Sequence, residues 1–417
     1  MHVTAKPACD VVIIGAGIIG LSVAWQLARR SRLRITVLDK GNGVGEGSTG
    51  ASSAVCRFRY TLDNTVALAR DGIAAYRAWT AFTGLAAPRA AFRNEGVLWL
   101  PGDDSQWAEV EQQRMATFGV RAEVLDAAEL RARFPAINPC RRAPDLERGG
   151  DHECADTVHA FYEVDGGYMD PVSAAQDLVE ACRGAGVDVR FRSPVAGVAI
   201  RGGRVSGVTL VGGESLSAPL LVNTAGPWCH DLYRAAGLAL PWDLAPVRIQ
   251  VLHRDRPAAL AGHIPVTVDM PGGIYFRTQN RGQQLIVSSV LEEDEREVVP
   301  DPDNFLRVPD TDFEQRKLHV LHHRLPGLPY RGQVTGYCGL YTMNRDDVHP
   351  VLGPTALEGF WVANGFSGHG FKLAPAIGSM LAQAITGERA EHDTDVPLSF
   401  LAFDRSPIEL ASRSVLA

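Results

Sequence analysis

Gly15, Gly17 and Gly20 stand in G-x-G-x-x-G spacing, directly after the β-branched run "DVVII" and directly before "LSVAWQLARR". The chemistry this spacing suits is phosphate binding. Gly15 permits a tight turn, Gly17 lets a pyrophosphate approach the backbone, and Gly20 lets helix and strand pack closely. The free N–H groups and positive dipole end of the following helix then hold the anion. Asp39 closes the apolar run "RITVLDK", 19 residues beyond Gly20, where a ribose-binding acid belongs. A second glycine-rich stretch, "GFSGHGFK" from Gly365 to Lys372, opens another helical run and is suited to close contact with an anionic or polar ligand edge. Lysine is scarce: of 41 basic residues only Lys6, Lys40, Lys317 and Lys372 are lysines. Chemistry that needs one has few candidates.

The elements that must position these residues follow from the pattern. The stretch from Val11 to Ala28 carries no charge, so a membrane segment or an export signal is the competing reading. The clustered glycines, the lack of a basic leader and of an A-x-A-like site, and the terminal Asp39 favour strand, helix and strand of a nucleotide-binding unit. Further along, "NTVALARDGIAAYRAWTAF" reads as helix, "NEGVLWL" as strand, and "VEQQRMATFG" and "DAAELRARFP" as helices. "DGGYMDPVSAAQDLVEACRGAGVDVRF" is a turn, an amphipathic helix and a strand. A meander of short strands with glycine-rich turns follows and ends in "LLVNTAG". "VRIQVLH", "GGIYFRTQ" and "QQLIVSSV" are strands, "DTDFEQRKLHVLHHRL" is a helix, and "EGFWVANGFSGHGFKLAPAIGSMLAQAITG" is strand, loop and helix. Two interleaved domains result: residues 1–85, 160–240 and 335–417 form one, and 86–159 with 241–334 the other.

At 417 residues, 46% hydrophobic and 21% charged, the chain has an ordinary globular composition. A net charge of −7 offers no basic patch for nucleic acid and no polybasic membrane anchor. The seven cysteines are scattered without a C-x-x-C, so neither a disulfide framework nor a zinc ribbon is expected. Cys140, His152 and Cys154 read as loop residues in preference to metal ligands, and His230, His322, His323 and Lys317 as surface residues. A reducing cytoplasm is the expected location.

The chain resembles the FAD-dependent D-amino acid oxidase-like superfamily, most of all its sarcosine oxidase, dimethylglycine dehydrogenase and glycine oxidase branch. "VIIGAGIIGLSVAWQLA", "DGGYMDPVSAAQDLVEACRGAGV", "LVNTAGPW", "GLYTMNRDDVHPVLGP" and "GFSGHGFKLAPAIG" carry the likeness in order. The resemblance implies an α/β fold: a Rossmann-like FAD-binding domain interleaved with a substrate domain on a mostly antiparallel sheet. It implies FAD in preference to NAD, since nicotinamide folds lack the C-terminal loop. The dinucleotide would lie against Gly15, Gly17, Ile18, Ile19 and Gly20, with Asp39 and Lys40 at its ribose end. "GSTGASS" would pass the pyrophosphate and flavin through Ser48, Thr49, Ser52 and Ser53. Val195, Ala225 and Gly226 would complete that cleft. Gly365, Gly368, His369, Gly370, Phe371 and Lys372 would flank the isoalloxazine ring.

In that branch an arginine soon after the Gly/Ser loop and the lysine of the C-terminal motif clamp a substrate carboxylate. Arg57 and Lys372 occupy those places, and the chemistry stands by itself: a carboxylate needs a cation, and arginine offers a bidentate fork. Tyr275 and Tyr341 can present hydroxyls, and His369 is read as touching the flavin without transferring a proton. A covalent flavin link is not expected. No histidine falls between residues 40 and 70, and Gly339 stands where relatives carry the linking cysteine, one residue after Cys338. The activity implied is oxidation of a C–N bond in a small amino acid or N-alkyl amino acid, with oxygen or an electron-transfer acceptor taking the electrons. The alternatives are 2-hydroxy acid dehydrogenation and a flavoprotein assembly factor without turnover. Ile286 stands nearest the place where oxygen-reducing relatives carry a lysine.

Overall fold

Val11–Ile14 forms a strand buried at every position, paired in parallel with Ile35–Leu38 on one side and Leu220–Asn223 on the other. Strands enclosed on both faces need apolar residues throughout, which explains the uninterrupted run. The computed structural model describes residues 9–104, 106–145, 152–410 and 416. Asp188–Arg190 extends the sheet in parallel beyond Ile35–Leu38, and Phe360–Asn364 beyond Leu220–Asn223. Val351–Pro354 closes it as an antiparallel edge, six strands in all. Helices Ile18–Arg30 and Gly370–Thr386 pack on one another beside this sheet and bring both glycine-rich loops to the carboxyl ends of its strands.

The glycine-rich meander is a separate three-stranded antiparallel sheet over residues 195–217. The second large sheet has eight strands, running from Val334–Asn344 through Leu244–Asp255, Gln284–Ser289, Ile274–Gln279, Val266–Asp269, Val97–Leu100 and Ala160–Glu163 to Ala122–Leu125. Every pairing in it is antiparallel except Val97–Leu100 with Val266–Asp269. Two of its strands, Ala160–Glu163 and Val334–Asn344, fall in stretches that the sequence pattern places in the nucleotide-binding domain. The second pairs with Leu244–Asp255 along its whole length, from Arg254 opposite Val334 to Leu244 opposite Asn344. The chain therefore returns to the six-stranded sheet only after Asn344.

The short helix Ala127–Arg133 begins on a capping box between Asp126 and Glu129, as its acidic start predicts. Helix Thr311–Arg324 departs from expectation. Lys317 is not on the surface: it is 2% exposed, 2.7 Å from Asp294, and donates to the Gly273 carbonyl. His322 is also buried, stacked on Tyr330, and His323 is half-buried. His230 is half-buried and hydrogen-bonded to the Leu244 carbonyl. The helix packs its inner face onto the eight-stranded sheet, where Arg324 and Asp269 form a fully enclosed ion pair at 2.8 Å. Periodicity alone did not show that the charged residues of this face have charged partners waiting. No described helix is long and apolar enough to cross a membrane.

Candidate active site

Two adjoining cavities lie where the six-stranded and eight-stranded sheets meet. The larger is a cleft of about 640 Å³, a volume ordinary for an organic ligand. At one end the turn Gly15–Gly17 leads into helix Ile18–Arg30, whose N-terminus has no side-chain cap. Gly15 has φ of +110°, and a Cβ at Gly20 would stand 1.9 Å from the Gly15 carbonyl oxygen. Both positions therefore exclude any side chain. The Ala16 N–H donates to Asp39 Oδ2 at 2.7 Å and the Gly41 N–H to Asp39 Oδ1 at 2.7 Å. Asp39 thus holds the turn in shape as well as facing the cleft. Ile18 N–H donates to Thr49 Oγ1 at 3.0 Å, which fastens the Gly/Ser loop across the helix end.

Ile18, Ile19, Lys40, Ser48, Thr49 and Ser52 line this cleft, as do Val195, at the start of a meander strand, and Ala225 and Gly226, just beyond strand Leu220–Asn223. Gly368, Gly370 and Phe371 form its far wall. Gly20 and Gly365 face neither cavity. Gly20 sits behind the turn, and Gly365, at φ +74°, turns the chain against Leu244. Their part is to shape the walls. Lys40 pairs with Asp303 at 2.6 Å over the Trp228 ring, and Trp228 Nε1 donates to the same carboxylate. Asp303 comes from a loop remote in sequence and was not anticipated, whereas Trp228 ends the short 3-10 turn Gly226–Trp228 beside the cleft residues Ala225 and Gly226.

The smaller cavity, of about 60 Å³, opens beside Gly368 and is lined by Ser52, Ser53, Arg57, Tyr275, Tyr341, His369, Phe371 and Lys372, with Val55, Val266, Val268, Val290 and Leu416. Arg57, Tyr275 and the pair His369 and Lys372, drawn from three separate stretches of sequence, are brought together in it. Arg57 is 5% exposed, its guanidinium 4.0 Å over the Tyr60 ring and donating to the Arg59 carbonyl. Lys372 is 6% exposed, and its nearest hydrogen-bond acceptor is the Gly368 carbonyl at 3.5 Å. Burial, and after it the Arg57 guanidinium, pushes the Lys372 ammonium down to about 7.

Tyr275 donates to Ser53 Oγ at 2.9 Å, and burial raises its phenol. Tyr341 packs against Gly368, where a Cβ would meet its ring at 2.7 Å. His369 is 1% exposed, precedes helix Gly370–Thr386, and meets the Tyr60 ring edge-on at 5.1 Å. Ala54 and Ser367, at φ of 50° and 45°, are non-glycine residues held in the left-handed region on the segments that carry these walls. Such strain persists where surrounding contacts fix the backbone, and it is common at ligand sites.

Glu163 went unnoticed in the sequence. It is fully buried beneath the pocket, where Oε2 accepts the Phe58 N–H and Oε1 the Arg59 N–H, each at 2.8 Å. Trp99 Nε1 donates to Oε1 at 3.2 Å. Burial raises this carboxyl to about 7 against the lowering effect of those donors and of Arg57. Glu163 positions the backbone from which Arg57 projects. Nothing in the strand "AFYE" marks it, since a glutamate there reads as an outward-facing residue.

Comparison with known proteins follows the same geometry. The sequence profile of the family described as DAO, FAD dependent oxidoreductase, matches residues 10–384, and the chain belongs to that family. The cofactor is therefore FAD, and the chain is a FAD-dependent oxidoreductase. It is 26% identical over 415 residues to the FAD-dependent oxidoreductase domain-containing protein 1 of Bos taurus, covering 90% of this chain and 81% of the relative. With the N-methyl-L-tryptophan oxidase of Yersinia pestis it shares 27% identity over 391 residues, 89% of this chain and 94% of that one. The crystal structure of L-proline dehydrogenase from P. horikoshii has the same fold, with a TM-score of 0.78, 21% identity, and coverage of 94% and 96%.

The residues present fit FAD. The Gly15–Gly17 turn brings the positive end of helix Ile18–Arg30 to the cleft, where a pyrophosphate would be held, Asp39 and Glu46 would present carboxylates at the ribose end, and the cleft continues to Gly368. A side chain at Gly339 would meet Ala51 Cβ at 2.4 Å, and although Cys338 also lines the cleft, its thiol lies beside the Arg248 guanidinium. Acid precipitation of the holoenzyme should therefore release yellow flavin into the supernatant. A yellow pellet would show a covalent link.

Proposed function

We propose that the chain oxidises the C–N bond of a small amino acid or N-alkyl amino acid of the sarcosine or dimethylglycine kind. The observation that carries this reading is the pair of buried cations, Arg57 and Lys372, in one small cavity beside the flavin-facing loop. Two cations out of water, with no acid ion-paired to Lys372 in the described structure, form a site for an anion. A cavity of about 60 Å³ has room for about four waters, the size of a small amino acid head group. Val55, Val266, Val268 and Val290 give it apolar walls that suit a short N-alkyl group and exclude water. The Yersinia relative is named for an N-methyl amino acid, which supports the N-alkyl part of this reading though its tryptophan side chain is larger than this cavity.

Bound FAD supplies a two-electron acceptor for the hydride leaving the carbon next to nitrogen, and water then hydrolyses the resulting imine. The chain's part is to hold that carbon. Arg57 and Lys372 fix the carboxylate, and the Tyr275 and Tyr341 rings with the valines enclose the rest. His369 lines the same cavity, edge-on to the Tyr60 ring, and we assign it contact with the cofactor without proton transfer. Anaerobic bleaching of the flavin, screened over N-methyl amino acids, simple amines and 2-hydroxy acids, tests the reading. Bleaching by the first group supports it; bleaching by hydroxy acids alone, or by none, replaces it with one of its rivals.

The acceptor follows from where the remaining cations are tied. Ile286 pairs across the sheet with Arg277 and lines neither cavity. Arg277 is buried, but its Nε donates to the Ser53 carbonyl and its Nη1 to the Thr278 carbonyl, behind the pocket wall. Arg281 is exposed. Lys317 is committed to Asp294, and Lys40 to Asp303. With Lys372 engaged by carboxylate, no lysine among the described residues is left to stabilise superoxide beside the reduced flavin. Reduced enzyme should react slowly with oxygen and faster with a dye or protein acceptor. Stopped-flow mixing with oxygenated buffer checks this, and rapid reoxidation would assign the role to another cation.

A further inference from the structure

Cys140, His152 and Cys154, which read in the sequence as loop residues, meet a fourth residue that the sequence places far away. His323, near the end of helix Thr311–Arg324, completes a set whose ligand atoms all lie within 4.8 Å of one another. Cys140 Sγ and His152 Nε2 are 3.3 Å apart, and the His152 and His323 rings stand 4.4 Å apart between centroids, at 74°. His323 Nε2 is buried without a hydrogen-bond partner. None of the four lines either cavity of the active site.

We propose that these four residues form a structural zinc site. Two sulfurs and two imidazole nitrogens are the donor set of tetrahedral zinc, and such soft donors select against calcium and magnesium. Zn–S and Zn–N bonds of about 2.3 and 2.0 Å put tetrahedral ligand atoms about 3.3–3.8 Å apart, so the observed spacing needs only a small contraction. On binding, each thiol gives up its proton to solvent, and the two thiolates balance the charge of Zn²⁺. Both histidines coordinate as neutral rings.

The surroundings are arranged as second partners of such a site. Asn138 Nδ2 donates to Cys154 Sγ at 3.8 Å and to the His323 carbonyl at 3.1 Å, while its Oδ1 accepts the Cys140 N–H at 3.1 Å. Arg324 Nη1 donates to the Cys140 carbonyl at 2.8 Å and the same side chain pairs with Asp269. Asp269 ends the strand whose Val266 and Val268 line the active-site pocket. Zinc would thus tie Cys140, His152 and Cys154 to the helix and, through Arg324, to the sheet behind the substrate. Its role is to fasten, apart from the redox chemistry.

Elemental analysis of untagged holoenzyme, passed over a chelating resin, should find about one zinc per chain. Cys154→Ser and His323→Ala should each lower this at least tenfold with FAD content retained. Asn138→Ala should weaken metal binding by about 10–100-fold. Cobalt added to metal-stripped protein should give a thiolate charge-transfer band that Cys140→Ser and Cys154→Ser abolish. Three results would each overturn the proposal. One is wild-type protein that neither holds zinc nor shows the cobalt band. Another is denatured protein with five reactive thiols in place of seven, which means a Cys140–Cys154 disulfide. The last is full zinc content in Cys154→Ser.

Discussion

Arg57→Lys and Lys372→Ala should each weaken substrate binding by about 2–5 kcal/mol, a factor of about 30 to 5,000, while the flavin stays bound. Arg57 is 5% exposed, with its guanidinium 4.0 Å over the Tyr60 ring. Lysine keeps the charge but loses the planar fork that pairs with both carboxylate oxygens. Lys372→Ala removes one of the two cations outright and leaves the substrate carboxylate half-neutralised in a dry pocket. Neither residue lies in the pyrophosphate turn, so FAD content and absorbance are the control for a merely structural loss. The measurement is KM against kcat in steady state, with the Kd of an unreactive carboxylate beside it. Unchanged constants in both variants would remove the carboxylate assignment.

Affinity for a small carboxylate without an amine, such as acetate, should be highest at pH 6 and fall as pH rises through 7. Burial holds Lys372 down at about 7, so it is an ammonium below that pH and a neutral amine above it. Burial holds Glu163 up at about 7, so it is neutral below and negative above. Both protons leave in the same direction of pH, and each loss makes the pocket less attractive to an anion. Linkage then gives about a tenfold loss per pH unit if Lys372 alone governs binding, and a steeper loss if Glu163 contributes. Lys372→Arg, whose guanidinium does not titrate in this range, should flatten the profile to whatever Glu163 supplies. The use of acetate matters, because a substrate amine would add its own titration with the opposite slope. A flat profile from pH 6 to 9 in the wild type would contradict the account.

The nucleotide-binding half was legible because its signals are local. A strand, three spaced glycines, a helix and Asp39 lie within one short stretch, and each residue type has a steric reason for its place. The residues of the small pocket were legible only through the resemblance, since nothing local ties Arg57 to Lys372. What escaped is what depends on partners far apart in sequence. Glu163 shapes the Arg57 loop from a strand that pairs with Val97–Leu100, and Lys317 finds Asp294 only when its helix packs on the sheet. His323 could not be joined to Cys140 before the helix end met the loop. The sheet that Val334–Asn344 joins was hidden for a related reason, because it pairs with a strand remote in sequence, whatever its own composition.

The central claim is that two buried cations select an amine substrate by its carboxylate and hold its carbon against the flavin. Anaerobic stopped-flow reduction tests it most directly, with N-methylglycine compared against N-methylethanolamine, which has the same amine but an alcohol in place of the acid. The account predicts bleaching of the flavin by the acid and, at equal concentration, a rate at least about 30-fold lower with the alcohol, the lower bound set by one lost charge-assisted pairing. Equal rates with the two compounds, or bleaching by neither while a 2-hydroxy acid succeeds, would contradict it.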